Sequence, residues 1–181
     1  MLVNAIELSL FSSQVTAVCD EMGAVLRRAA FSTNIKDRLD FSCAVFDPAG
    51  QLCAQAAHIP VHLGSMAWAM TGLVSGTQWA PGDMLVVNDP YLGGTHLPDV
   101  TIIKPVFDER GREVIFYVAS RGHHADIGGK TPGSMPADSI DVLQEGVLLD
   151  NQLIVDAGVF REPEIRELLA AEPYPARNID T

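Results

Sequence analysis

The chain has 181 residues, of which 48% are hydrophobic and 19% are charged, and its formal net charge is −11. This length accommodates one domain with a hydrophobic core or two small ones, and the composition is that of a globular protein rather than a disordered one. The negative net charge argues against a nucleic-acid backbone or an anionic membrane surface as a partner. We also expect no membrane span, since no run approaches the roughly 18 apolar residues that one requires.

The N-terminal residues and the cysteines both favour a cytoplasmic protein. Glu7 lies early in the chain and no basic segment precedes an apolar one, so we expect no signal peptide. The cysteines are Cys19, Cys43 and Cys53, an odd number without CxxC spacing. This pattern favours reduced, mostly buried thiols over a disulfide framework or a zinc site.

The pattern of apolar residues predicts an α+β fold in which a long N-terminal helix packs with antiparallel β-hairpins and a mixed sheet. Helical spacing over residues 4–31 predicts an amphipathic helix. Residues 41–47 and 51–57 flank a Pro-Ala-Gly turn, which predicts a hairpin. The other predicted elements are a helix at 65–74, a strand at 83–87, a hairpin with strands at 100–107 and 112–120, and a helix at 161–170.

We expect residues 1–181 to form a single domain, with residues 172–181 as a tail or linker. Pro105 in the second hairpin suggests that its strand lies at a sheet edge or carries a bulge, because proline has no backbone N–H to donate.

The segment NDPYLGGTHLPD, residues 88–99, is the most unusual in the chain. Two prolines and a glycine pair exclude a regular helix or strand. The predicted strand at 83–87 precedes the segment and a β-rich run follows it. A polar loop held between two strands is a plausible ligand or metal site, and the segment SRGHHADIGG, residues 120–129, is its expected partner.

The second hairpin gives this pairing a register. If Asp108 and Gly111 pair across the turn, His96 faces His123, and directly opposed Cβ atoms lie about 4.5–5.5 Å apart. Pro98 bends the chain and turns Asp99 towards the same side. A shift of one residue in the turn would replace His123 by His124 or Gly122.

His58 and His62 form a second histidine pair, four residues apart. Pro60 lies between them and argues against a helix, so the pair is either substrate-binding or simply hydrogen-bonded within a loop. The charged residues Lys36, Arg38 and Asp40 are interpreted as solvated or ion-paired, and Asp138, Asp141 and Glu145 as an exposed acidic surface.

Two imidazoles and a carboxylate with open positions suit Zn, Mn or Fe(II). A metal ion held in this way polarises a carbonyl or activates water for amide hydrolysis. Asp89 and Asp126 are then candidate catalytic groups that orient imidazoles or act as a base. The spacing is equally compatible with a structural polar loop.

Several motifs in fixed order resemble those of the hydantoinase B/5-oxoprolinase family, and the resemblance spans essentially the whole chain. The motifs are IKDRLDFSCAVFD, AQAAHIPVHLGSM, GDMLVVNDPYLGGTHLPDV, SRGHHADIGG, PGSMPADS and LQEGV. The family comprises the B subunits of ATP-dependent hydantoinases and the C-terminal part of 5-oxoprolinases, and is related to the large subunits of acetone and acetophenone carboxylases.

The resemblance implies a cytoplasmic hetero-oligomer in which an A-type subunit, with an acetate-kinase-like fold, uses ATP. The B-type part then completes the opening of a cyclic amide such as a hydantoin or 5-oxoproline. In the acetone carboxylase branch, a divalent metal, Mn, lies on an H-x-x-D pair and a later histidine. The matching positions here are His96 and Asp99, with His123 or His124 as the later ligand.

Two alternatives remain open beside the hydrolase. One is a ketone carboxylase component, which differs in requiring bicarbonate and a ketone. Because family members are typically several times longer, the chain resembles only their N-terminal part. The other alternative is therefore a non-catalytic fragment that assembles with partner chains.

Overall fold

The computed structural model describes residues 4–57, 59, 62, 64–171 and 173–180. The helices are α1 (Ala5–Ala29), α2 (Thr33–Lys36), α3 (Ser65–Gly76) and α4 (Glu162–Leu169). The strands are β1 (Phe41–Phe46), β2 (Leu52–Ala57), β3 (Met84–Val87), β4 (Asp99–Phe107), β5 (Val114–His123), β6 (Gln152–Asp156) and β7 (Val159–Phe160). These strands form one sheet in the order β2-β1-β5-β4-β3-β6-β7. The predicted α+β class and long N-terminal helix are confirmed.

The sheet differs from the prediction in one respect, since each described strand pair is antiparallel. The expected mixed sheet requires a parallel crossover, whereas hairpins and antiparallel returns join these strands. Pro105 lies in β4, an interior strand, but β3 pairs with β4 only as far as Ile103. Pro105 thus lies where β4 has no partner on the β3 side, which is how an interior strand accommodates proline.

Helices cover both faces of the sheet. Along β1, Ala44 and Phe46 belong to a core with α3, whereas Val45 packs on the opposite face with Cys19 of α1. This two-sided burial explains why β1 does not alternate between apolar and polar residues, since all six of its residues are buried and five of them are apolar. Among the described residues, no helix is both long enough and apolar enough to cross a membrane.

The first part of α1 extends away from this core. An Asn4–Glu7 capping box starts the helix, and all residues from Asn4 to Gln14 are exposed. Exposed apolar side chains on this part are Ile6, Leu8, Leu10 and Phe11. Phe11 stacks against Phe116 with ring centroids 6.5 Å apart.

Asn88 ties the polar loop to the second half of the chain. Its fully buried amide nitrogen donates to the carbonyl oxygens of Leu97 and Val147, both at 2.9 Å. Its amide oxygen accepts the Leu149 N–H at 2.7 Å. One side chain thus joins both ends of the loop to a distant segment.

We expect Asn88→Ala to lower the free energy of unfolding by about 2–4 kcal/mol, because it leaves two carbonyl oxygens and one N–H buried without a partner. Chemical denaturation measures the change. Gln14→Ala is the matched control, since it removes an exposed amide from α1, and we expect it to change stability by less than about 0.5 kcal/mol. Equal effects of the two substitutions would contradict the role of Asn88.

Candidate metal centre

Three neighbouring strands bring two carboxylates and one imidazole to the same end of the sheet. Asp40 precedes β1, His123 ends β5, and Asp99 begins β4. Asp99 and His123 are partners in the β4–β5 register, and the His123 N–H donates to the Asp40 carbonyl oxygen at 3.0 Å. The three residues form a row across the end of the sheet.

Two further imidazoles reach this row from loops. A turn in which the Asp99 N–H donates to the His96 carbonyl oxygen at 3.0 Å places His96 Nε2 3.3 Å from Asp99 Oδ1. His62, which is fully buried before α3, places its Nε2 3.3 Å from Asp99 Oδ2. Since His123 Nδ1 lies 3.4 Å from Asp99 Oδ1, three imidazoles surround one carboxylate.

Asp99 is buried, with 2% of its surface exposed. Burial raises its pKa, but contacts with His123, His62, His96 and the Thr95 hydroxyl outweigh burial and hold the pKa well below its usual range. Although two ring nitrogens lie close to Oδ1, this atom has no hydrogen-bond partner among the described residues. A buried anionic oxygen without a hydrogen bond is costly, and a cation would satisfy it.

The described residues contain two groups that could hold a metal ion. They are His96–Asp99–His123 and Asp40–His62–Asp99, and within each group the ligand atoms lie within 4.8 Å of one another. Both groups offer only nitrogen and oxygen ligands, a donor set that suits Zn, Mn or Fe(II).

The structure brings together most of the predicted ligands and separates one of them. His96, Asp99 and His123 meet, and the rings of His96 and His123 are 4.8 Å apart. The neighbouring His124 is exposed and belongs to neither group. His62, predicted to bind substrate, lies among the candidate metal ligands, while His58 lies outside the described residues.

Sequence reasoning missed Asp40 and Arg121. Asp40 was interpreted as solvated or ion-paired rather than as part of the site, and its carboxylate lies 3.4 Å from His123 Nδ1. Arg121 is 1% exposed, and its guanidinium donates to Thr101 Oγ1, Ser65 Oγ and the Gly93 carbonyl oxygen at 2.6–2.8 Å. Its presence in the motif SRGHH was the available signal.

Arg121 connects the sheet to the two loops that carry His62 and His96. Burial lowers the pKa of Arg121, and the negative charge of Asp99 opposes that change. The Gly93 end of this connection also needs a glycine, since its φ is +96° and an added Cβ would lie 2.1 Å from the Ala69 Cβ.

The two predicted catalytic carboxylates lie outside both candidate metal groups. Asp89 caps a short 3-10 helix, where its Oδ1 accepts the Tyr91 N–H at 2.8 Å. Asp126 accepts the N–H groups of Gly128, Gly133 and Arg177 at 2.9–3.1 Å, and also binds the Arg177 guanidinium at 2.9 Å. In this arrangement Asp126 anchors the described residues 173–180, part of the segment predicted to be a tail or linker.

A family comparison decides where the chain belongs. The family model for hydantoinase B/oxoprolinase matches residues 4–181. The chain belongs to this family. The motif resemblance is thereby confirmed, and the candidate metal centre lies inside the matched region.

Individual relatives are similar over nearly the whole chain. A 5-oxoprolinase from Saccharomyces cerevisiae is 48% identical over 179 residues, which is 96% of this chain and 14% of that protein. Caprolactamase subunit beta from Pseudomonas jessenii is 31% identical over 169 residues, which is 92% of this chain and 29% of that protein. The chain therefore spans less than a third of these relatives.

Solved structures support the same fold. The ATP-dependent caprolactamase from Pseudomonas jessenii superposes with a TM-score of 0.85 at 29% identity, over 99% of this chain and 31% of that chain. Acetone carboxylase superposes with a TM-score of 0.78 at 21% identity, over 89% of this chain and 22% of that chain, which shows the fold alone.

We expect Asp126→Asn to lower the free energy of unfolding by about 1–2 kcal/mol at neutral pH, because a charged acceptor of several N–H groups is replaced by a neutral one. Burial raises the pKa of Asp126, but its backbone and Arg177 hydrogen bonds outweigh burial and depress it. The stabilisation that the Asp126 charge provides is therefore complete above the ordinary aspartate pKa of about 4. It is lost as the pH falls through the lower pKa that Asp126 has in the folded protein.

Denaturation curves from pH 7 down to pH 2 measure this difference, which should shrink on acidification. Asp150→Asn, at an exposed position, is the control and should have little effect at any pH. A difference that stays constant with pH would show that Asp126 does not act through its charge.

Proposed function

We propose that this chain is the metal-dependent part of an ATP-dependent cyclic-amide hydrolase of the hydantoinase/5-oxoprolinase type. The main support is the arrangement around Asp99, whose buried Oδ1 has no hydrogen bond from the described part of the chain while imidazole nitrogens lie 3.3 and 3.4 Å away. Family membership and the 5-oxoprolinase and caprolactamase relatives support the reaction class.

In this proposal His96, Asp99 and His123 hold a divalent metal ion, Zn, Mn or Fe(II). Such an ion, when bound, polarises a carbonyl oxygen or lowers the pKa of a bound water. Among the three imidazoles that contact Asp99, His96 has the most exposed side chain, at 33%, against 12% for His123 and 0% for His62. The substrate amide would therefore approach from the His96 side.

The proposed substrate is a small cyclic amide such as a hydantoin or 5-oxoproline, activated by an A-type subunit that uses ATP. The supporting relatives include a protein named as a caprolactamase beta subunit and a caprolactamase described as ATP-dependent. The proposal retains the cytoplasmic location predicted from the sequence, as well as Asp89 as a candidate base.

A second candidate function is assembly alone, in which the chain contributes structure to a larger complex. The exposed apolar side chains at the start of α1 favour it, since Ile6, Leu8 and Leu10 are each 58–67% exposed and such surfaces commonly mark contacts between chains. Assembly and metal binding are compatible, and metal analysis separates a chain that only assembles from one that also holds the ion.

We expect the purified chain to retain a divalent metal ion after dialysis, as measured by elemental analysis. Asp99→Ala and His96→Ala should each abolish retention, because each removes a ligand of the proposed ion. His124→Ala should have no effect if His123 is the ligand. If the wild-type chain holds no metal even with an A-type subunit present, the metal assignment is wrong.

We expect a chimera to be active as a 5-oxoprolinase when this chain replaces the matching segment of the Saccharomyces cerevisiae enzyme. The yeast protein supplies the remaining polypeptide. ATP hydrolysis should depend on 5-oxoproline and fall at least about 100-fold with Asp99→Asn, because the metal ligand is weakened. Lys104→Gln, at an exposed position on β4, should leave the rate unchanged. Turnover that instead requires bicarbonate and a ketone would favour the carboxylase alternative.

A further inference from the structure

A groove of about 910 Å³ lies between α3 and the neighbouring part of the sheet. Trp68, Gly72 and Gly76 line it from α3, and Leu85 of β3 and Leu153 of β6 line it from the sheet. The described residues that line this groove include none of the candidate metal ligands. It is therefore a surface feature separate from the candidate metal centre.

α3 lacks the charged outer side of an ordinary surface helix. Its sequence, SMAWAMTGLVSG, contains no charged residue, although 19% of the whole chain is charged. Met66, Met70 and Leu73 pack into the core, yet Trp68 is 69% exposed. A helix without charge on any side is typical of a protein interior. The composition of α3 thus indicates that its outer side is covered as well.

The loop that follows Asp89 adds two more apolar side chains to the groove. Tyr91 is 85% exposed and Leu92 is 38% exposed, and none of the described lining residues is charged. A pocket for a small molecule encloses most of its ligand, whereas exposed aromatic side chains are typical of contacts between polypeptides. The groove therefore suits an apolar polypeptide segment.

The two faces of the sheet are covered unequally at β6. On one face Ile154 packs with Ile165 and Leu168 of α4. On the other face Leu153 packs at the margin of the core under α3 and is only half-buried, since it lines the groove. Because a sheet is stable when elements pack on both faces, the groove marks a place where the described part of the chain leaves the sheet incompletely covered.

We propose that this groove receives an apolar, uncharged segment of the polypeptide that longer members of the family carry outside the matched region. The match to the caprolactamase structure covers 99% of this chain and 31% of that chain, so more than two thirds of that protein lie outside it. Additional polypeptide on this scale requires a surface to pack on. A second copy of this chain is a poorer occupant, because two copies with a net charge of −11 each repel one another.

This inference rests on family membership and on the groove, and not on the candidate metal centre. It therefore goes beyond the proposed function, and the metal content of the chain does not decide it.

Hydroxyl-radical footprinting tests the proposal on the isolated chain and on the chimera with the Saccharomyces cerevisiae 5-oxoprolinase. Mass spectrometry gives the oxidation rates of Trp68 and Tyr91 in each protein. We expect both rates to be at least about fivefold lower in the chimera, because residues inside an interface are shielded from water. In the isolated chain, both rates should be independent of protein concentration.

Gly72→Leu fills the groove from α3. A Cβ added at Gly72 meets no atom within 4 Å, and leucine favours a helix more than glycine does, so the isolated chain should keep its Tm. In the chimera the new side chain should displace the docked segment and restore fast oxidation of Tyr91. Glu167→Leu is the control, since it places the same side chain at an exposed position of α4, on the other face of the sheet.

The outcomes are distinct. Protection of both aromatic residues in the chimera, lost in Gly72→Leu and retained in Glu167→Leu, supports the docked segment. Equal oxidation rates in the two wild-type proteins overturn it, and so does protection in the chimera that persists in Gly72→Leu. Protection in the isolated chain that grows with protein concentration also overturns it, since the occupant would then be a second copy.

Discussion

The structure depends on keeping the negative charge of Asp99 in an interior from which water is almost excluded. An isolated buried carboxylate costs several kcal/mol, so groups that attract it must surround it. The chain meets this requirement with imidazoles from three separate segments and a hydroxyl from Thr95. The end of β5, the polar loop and the segment before α3 therefore converge around this one charge.

Arg121 and Asn88 hold these segments together. The guanidinium binds the loop and the start of α3 to the sheet, and the amide binds the loop to the segment around Val147. Both side chains make their hydrogen bonds in the buried interior, where a polar group left without a partner lowers stability. The ligands are therefore positioned by a scaffold of buried polar groups, and hydrophobic packing surrounds that scaffold.

Local patterns in the sequence predicted the helices and hairpins because helical spacing and turn residues act over a few positions. The register of the second hairpin was wrong, since Asp99 rather than His96 lies opposite His123. The turn extends to Glu113, whose carbonyl accepts the Asp108 N–H, and a bulge follows Val106. His96 still reaches His123 because the chain turns back between His96 and Asp99. Asp40 could not be predicted, since its position depends on β1 pairing with β5, about 80 residues further along the chain.

The exposed start of α1 has a consequence for how the molecule is held together. Short helices with little packing are marginal in water, so this part depends on the Asn4–Glu7 capping box, the Phe11–Phe116 contact and the continuous backbone from Gln14 onwards. Its position therefore follows the inner half of α1, which packs on β1 and β2. A partner that binds the exposed turns would therefore displace α1 as a whole. The displacement would reach β1, the strand that directly follows Asp40 of the candidate metal centre.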